Sequence, residues 1–257
     1  MTQPTLILGA GMTGLAAGLA SGLPVFEAAE SPGGICSSYY MRPNTTTRLS
    51  AAPADGEAYQ FELGGGHWIF GGDPTVLHFI NSLTPANRYR RRSSVYFAGR
   101  DLYVPYPIQN HLSYLGPDTA ARVLTEIVNA PQIPPRTMAD WIQHSFGSTL
   151  TEQFFGPFNS RYTAGLWNRI APQDAYKSPV NISLALQGAF GGAPAVGYNV
   201  TFIYPQAGLN TLAQRMAERC DVKFGKRVVN IDVARREVEF ADGSGHLFDK
   251  LISTLPL

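Results

Sequence analysis

A strand-like apolar run, Thr5-Leu6-Ile7-Leu8, stops at a glycine, and Gly9-Ala10-Gly11-Met12-Thr13-Gly14 then sets three glycines in the spacing G-x-G-x-x-G. The spacing alone is weak, but its flanks complete it. Small and apolar residues from Met12 to Ser21 suit a helix packed closely on a sheet, and Pro24-Val25-Phe26-Glu27 reads as a second strand ending in an acid. This is a β-α-β unit in under thirty residues. Each glycine has its own reason. Gly9 allows a tight turn, Gly11 lets the backbone approach a pyrophosphate, and Gly14 lets helix and strand pack closely. The helix N-terminus at Met12 and Thr13 offers free N–H groups and a partial positive charge to phosphates. Glu27 is placed to accept hydrogen bonds from ribose hydroxyls.

Leu6 to Phe26 is apolar enough to resemble a membrane span or a signal. However, it carries Gly9, Gly11, Gly14, Gly18, Gly22 and Pro24, and no basic region precedes it. The composition, 44% hydrophobic and 15% charged over 257 residues, supports a sizeable core. With a net charge of +1 and one short basic cluster, Arg88, Arg90, Arg91 and Arg92, a nucleic-acid partner is disfavoured. That cluster reads as a solvated face, or else as an attractor of anionic substrate. Two distant cysteines, Cys36 and Cys220, form neither a disulfide framework nor a metal site, and fit a reducing, cytoplasmic setting. Cys36 reads as a packed thiol.

Further along, a hairpin is expected between Ser37 and Phe61, and a helix over Thr75 to Leu83 with Asp73 as N-cap. The character changes near Arg88. A hairpin around Gly99 precedes helical stretches at Pro117 to Val128, Thr137 to Phe146 and Thr149 to Phe155. A strand over Val200 to Tyr204, a helix over Leu209 to Arg219 and short strands through Ser253 complete the chain. The expected organisation is a first domain part over residues 1–90, an insertion over 91–204 and a return segment over 205–257. Leu251 to Leu257 reads as a core strand entering a turn, where domains seldom stop, so the chain reads as the front part of a longer protein.

Ser31-Pro32-Gly33-Gly34-Ile35-Cys36-Ser37-Ser38 follows Glu27 closely. Its Gly pair lets backbone amides meet a second part of an extended cofactor. Gly9 to Gly14, Glu27, Gly33 and Gly34 together resemble the N-terminal signature of the glutathione-reductase-like FAD superfamily, which includes amine oxidases, protoporphyrinogen oxidase, carotenoid desaturases and UDP-galactopyranose mutase. Four later stretches resemble the mutases. Phe61-Glu62-Leu63-Gly64-Gly65-Gly66-His67-Trp68-Ile69-Phe70 resembles their Gly-Gly-His segment, whose glycines and histidine lie against the isoalloxazine. Val104-Pro105-Tyr106-Pro107-Ile108-Gln109-Asn110 resembles a uridine-binding segment. Tyr162-Thr163 with Trp167 resembles a substrate-contacting segment, and Tyr204 to Gly208 resembles an aromatic-Pro-Gly stretch. Three departures stand out. Ile108 replaces a Phe and implies weaker uracil stacking. Ala207-Gly208 replaces a glycine pair. Lys177, or Arg169, stands for a clamp arginine, and a lysine lacks the bidentate fork.

The resemblance implies an α/β fold, with a Rossmann-like FAD-binding domain and an inserted, mainly helical substrate domain. It implies FAD held by Gly9, Gly11, Met12, Thr13, Gly14, Glu27, Gly33, Gly34, Gly65, Gly66, His67 and Val229, with His67 also the candidate catalytic residue on the flavin side. It implies a small-molecule substrate, a nucleotide sugar, held by Tyr106, Ile108, Gln109, Tyr162, Thr163, Trp167 and Lys177. The activity implied is interconversion of sugar ring forms through a flavin N5 adduct, with no metal, nucleic acid or membrane partner. Structural readings stand beside these: His67 as a hydrogen-bonded loop residue, Tyr106 and Gln109 as members of a proline-rich surface strand, Trp167 as core. Two other functions remain open: a flavin oxidoreductase transferring hydride from an amine or similar substrate, and an inactive FAD-binding fragment.

Overall fold

Strand alternation settles the first contacts. In the computed structural model, which describes residues 4–172, 180–192 and 200–256, strand β1 (Thr5–Leu8) sends Ile7 into one apolar cluster and Leu6 and Leu8 into another. A parallel strand with no polar side chain in the middle must be covered on both faces. Helix α1 (Met12–Ser21) packs on the Ile7 side, and Gly18 permits it: a Cβ there would stand 2.7 Å from Val25 Cγ2 of β2 (Val25–Phe26). Gly22, at φ 69°, ends the helix in a left-handed C-cap. The hairpin β3 (Ser38–Met41) and β4 (Tyr59–Glu62) follows, then α2 (Pro74–Leu83) and β5 (Ala86–Arg90). Asp73 caps α2 through the amides of Thr75 and Val76, as its sequence predicts.

Arg90–Thr201 forms a second compact unit, separate from Met1–Tyr89 with Phe202–Leu257. It opens with the hairpin β6 (Ser94–Phe97) and β7 (Leu102–Pro105) and continues as α3 (Pro117–Val128), α4 (Met138–Leu150), α5 (Gly156–Tyr162) and α6 (Ile182–Ala189). Its core is Ile108, Leu112, Val123, Ile142, Phe146 and Leu150, with their neighbours. The expected helix over 137–146 runs on to Leu150, and a π-helical turn at Thr151–Phe155 joins it to α5. Gly147, at φ 76°, interrupts the regular geometry inside α4. Glu126 of α3 covers that break. Its carboxylate accepts from Ser148 Oγ, the Thr149 amide and Thr149 Oγ1, at 2.7–2.9 Å. Only glycine leaves room for it, because a Cβ at Gly147 would overlap the Glu126 side chain. Helix α6, capped by Asn181, has no counterpart in the sequence reading.

The chain returns as β8 (Thr201–Pro205), which pairs with β5, then α7 (Leu209–Ala217), β9 (Val222–Lys223), β10 (Val228–Asp232), β11 (Glu237–Phe240), β12 (Gly245–Leu247) and β13 (Lys250–Ser253). Between β12 and β13 the chain leaves the strands where Phe248 turns into the core. The parallel sheet has the order β13-β1-β2-β9, and β10-β11-β12 form an antiparallel sheet. Phe26 stacks on Phe240 at 5.2 Å, joining the second face of the parallel sheet to the antiparallel one. Thus α1, α7 and the cluster around Leu212 cover one face, and β10-β11-β12 cover the other. Among the described residues, no helix is long and apolar enough to cross a membrane.

Candidate cofactor and substrate sites

The glycine turn sits where β1 ends and α1 begins, and its three glycines are required for different reasons. Gly9 has φ 93°, a region that L side chains rarely adopt. A Cβ on Gly14 would overlap the Gly9 carbonyl oxygen. Gly11 differs: its φ is −68° and ψ 176°, open to any residue, and a Cβ there meets nothing within 4 Å. Among the described residues, no contact demands glycine at this position. The N-terminus of α1 has no side-chain cap and no acid in its first turn among the described residues, so Met12 and Thr13 begin a helix end suited to an anion.

The Gly pair lies against this turn. The Gly33 amide donates to Ala10 O at 2.8 Å, and a Cβ on Gly34 would stand 3.5 Å from Gly11 Cα. Both have positive φ, 116° and 55°. The next residue leads onward: Ile35 O accepts from the Gly64 amide at 3.0 Å, and Ser37 O accepts from the Leu63 amide. Gly11, Gly33, Gly34, Ile35 and Gly64 are therefore linked through successive neighbours, and His67 lies at the far end, its Nε2 2.8 Å from a Cβ built on Gly64. Gly65 has φ 80°, and Gly66 packs its backbone against the Trp68 indole. His67 Nε2 and Glu62 Oε1 are buried without a hydrogen-bond partner among the described residues. Such atoms are costly unless something satisfies them.

Glu27 stands beside the turn. Its Oε2 accepts from the Ala10 amide at 2.7 Å and its Oε1 from the Ala29 amide at 2.8 Å, which leaves lone pairs on both oxygens for hydroxyl donors. Val229 is the bulged residue of β10: the register passes from Val228 opposite Phe240 to Asn230 opposite Glu239 and skips it. Its backbone is outside the ladder, and its side chain is 60% exposed. Cys36 is no activated thiol. Burial pushes its pKa up and the nearby Glu62 adds to the rise, so it packs as a protonated side chain.

The second unit gathers several of the expected substrate residues. Tyr106 meets Phe154 edge-on at 6.4 Å, Phe154 stacks on Phe158 at 5.5 Å, and Phe158 stacks on Tyr162 at 5.6 Å. Spacing of four residues puts Phe154, Phe158 and Tyr162 on one face of the helical run. Exposure rises along this aromatic ladder, to 78% at Tyr162. Phe154 and Phe158 were missed in the sequence, where the i, i+4, i+8 pattern was available to find them. Other residues differ from expectation. Ile108 is fully buried among Val104, Leu112 and Ala185, a core side chain and not a surface for a base. Gln109 is not on a surface strand either: it is 1% exposed in a short 3-10 turn, and its Oε1 has no partner among the described residues. The Thr163 hydroxyl donates to Asn159 O and accepts from the Trp167 amide, tying the end of α5 to the next turn. Trp167 packs against the unit's core near Gly156. Arg169 is exposed, and Lys177 lies outside the described residues. Among the described residues no cluster of His, Cys, Asp or Glu could hold a metal.

The profile of the flavin-containing amine oxidoreductases matches residues 16–257. The chain belongs to that family. The cofactor is FAD, as in the family, and it fits the open space at Gly11, the uncapped α1 and the orphaned atoms at Glu62 and His67. Among solved structures, a reduced UDP-galactopyranose mutase matches with a TM-score of 0.83 and 25% identity, over 99% of this chain and 56% of its own. A putrescine oxidase with bound putrescine matches at 0.51 and 17%, over 100% and 58%. A Pyrococcus furiosus protein matches at 0.53 and 18%, over 98% and 59%. The last two show the shared fold. The chain spans little more than half the length of each of these proteins.

Proposed function

We propose that this family member interconverts ring forms of a nucleotide sugar on FAD. The observation that carries the reading is the superposition on a reduced UDP-galactopyranose mutase, at a TM-score of 0.83 over 99% of the chain, against 0.51 for a putrescine oxidase. When bound and reduced, FAD supplies a nucleophile toward the anomeric carbon of the sugar. The protein's own groups bind and orient. The turn at Gly9, Gly11 and Gly14, with the amides of Met12 and Thr13, takes the cofactor diphosphate. Glu27 holds the ribose, the free backbone of Val229 takes the base, and Gly65, Gly66 and His67 lie along the flavin. In the second unit the aromatic edge at Tyr106 and Tyr162, with the amide of Gln109 and the indole of Trp167, takes the nucleotide sugar. Lys177 supplies a positive charge for its diphosphate. Ile108 and Thr163 act by holding the turns that carry these groups.

Titration with UDP tests the reading. UDP is expected to bind the purified protein, and Tyr162→Ala to weaken it about tenfold, the loss of a stacked aromatic contact. Flavin content should not change, since Tyr162 is exposed and lies outside the cofactor unit. A second reading, hydride transfer from an amine to FAD, is favoured by the family match over residues 16–257. Binding of a diamine with no binding of UDP would select it.

A further inference from the structure

Resting on the reading of the glycine turn as an FAD site, we infer that Thr254 is a positioning residue for the cofactor diphosphate. It lies just beyond β13, which pairs in parallel with β1 so that Ser253 stands opposite Leu8. This register carries Thr254 to the glycine turn from the other end of the chain. The Thr254 amide donates to Leu8 O at 2.9 Å. Its hydroxyl lies 2.8 Å from Leu8 O and 3.2 Å from Gly9 O, so its one proton is shared between two carbonyls. The same oxygen would be 2.7 Å from a Cβ on Gly9 and 3.0 Å from a Cβ on Gly14. It fills the volume that the first and third glycines leave.

The consequence follows from peptide planarity. A trans peptide points its C=O and N–H in opposite directions. The Gly9–Ala10 peptide is held at both ends, its oxygen by the Thr254 hydroxyl and its N–H by Glu27 Oε2 at 2.7 Å. The next peptide is held at its oxygen, where Ala10 O accepts from the Gly33 amide at 2.8 Å. Its N–H, that of Gly11, must then point away from Gly33. Among the described residues it meets no acceptor, and it belongs to the residue beside which a Cβ finds open space. Thr254, Glu27 and Gly33 thus orient one free amide, at the N-terminus of α1, where a diphosphate oxygen would accept it. Without the hydroxyl, Leu8 O keeps the Thr254 amide, but the Gly9 carbonyl loses the donor that keeps it turned from the anion.

Equilibrium titrations of the protein with FAD, ADP and adenosine test this. Thr254→Val keeps the shape and removes the hydroxyl; Thr254→Ser keeps the hydroxyl. The expected result is a loss of about tenfold for FAD and ADP in Thr254→Val, near wild-type affinity in Thr254→Ser, and unchanged adenosine binding in both. Thr254→Ala must show the same selective loss, which preserves the comparison if the Val variant fails to fold. Equal binding of FAD and ADP by Val, Ala and wild type overturns the inference. So does a parallel loss for adenosine, or a Ser variant as weak as Val. Wild-type protein that binds neither FAD nor ADP overturns the cofactor reading beneath it instead.

Discussion

Replacing Gly11 by Ala should separate binding from folding. The backbone there, φ −68° and ψ 176°, suits alanine, and the added methyl touches no atom of the described residues within 4 Å. Two small effects on stability oppose each other. Restricting the unfolded chain stabilises by about 0.4–1 kcal/mol. Gly11 is also the N-cap of α1, where alanine is worse than glycine by up to about 1 kcal/mol. The net change should lie within about 0.5 kcal/mol, or about 2 °C in the thermal midpoint of the apoprotein. The cofactor meets a different situation, because the methyl occupies the space through which a phosphate oxygen reaches the Gly11 amide. A lost charge-assisted hydrogen bond, at about 1.5–3 kcal/mol, lowers FAD affinity by roughly 10- to 150-fold. Gly14→Ala is the contrast: its methyl overlaps the Gly9 carbonyl, so stability and binding should fall together. The assays are apoprotein calorimetry and FAD titration by flavin fluorescence. Normal FAD affinity in Gly11→Ala would refute the assignment, and a midpoint lower by 10 °C would show that the open space at Gly11 serves the fold.

Two further outcomes follow from the second unit. Desolvation raises the Glu126 pKa, but the hydrogen bonds from Thr149 and Ser148 outweigh it and hold the carboxyl below its ordinary value. Its stabilisation is therefore present above the unfolded carboxyl pKa and lost as the pH falls through the lowered folded one. Glu126→Gln should cost about 1 kcal/mol at pH 7, comparable to loss of a helix cap, with the gap to wild type closing below about pH 4; a gap independent of pH would contradict this. Gln109→Leu should raise apoprotein stability by about 1 kcal/mol, since it removes a buried oxygen without a partner among the described residues, while weakening UDP binding. Destabilisation by Leu would mean that the amide serves the fold.

What the sequence made legible was local. The strand, three glycines, helix and Glu27 lie within about twenty residues, and each carries a separable physical reason, so the dinucleotide turn could be read residue by residue. The α2 cap at Asp73 and the start of α3 at Pro117 followed from the same short-range chemistry. Partners distant in the chain could not be read this way. Thr254 reaches Gly9 across 245 positions, and nothing near Leu251 to Leu257 announces that contact. Glu126 meets Thr149 only because α3 and α4 pack together, so its cover over the break at Gly147 could not be read from either segment alone. The burial of Ile108, read as a contact for a base, and of Gln109, for which a surface strand was one reading, depends on α6, which is absent from the sequence reading and packs so closely over this turn that a Cβ on Gly188 would overlap Asn110 O.

The central claim is that FAD here serves an isomerisation without net oxidation. The most direct measurement reduces the purified protein once with dithionite under strict anaerobiosis, supplies UDP-galactose and related nucleotide sugars, and counts product per flavin. An isomerase consumes no electrons in the cycle, so the account predicts many isomerised molecules per reducing equivalent and none from the fully oxidised protein. An enzyme that leaves every nucleotide sugar unchanged, but forms peroxide from an amine in step with oxygen consumed, would contradict it.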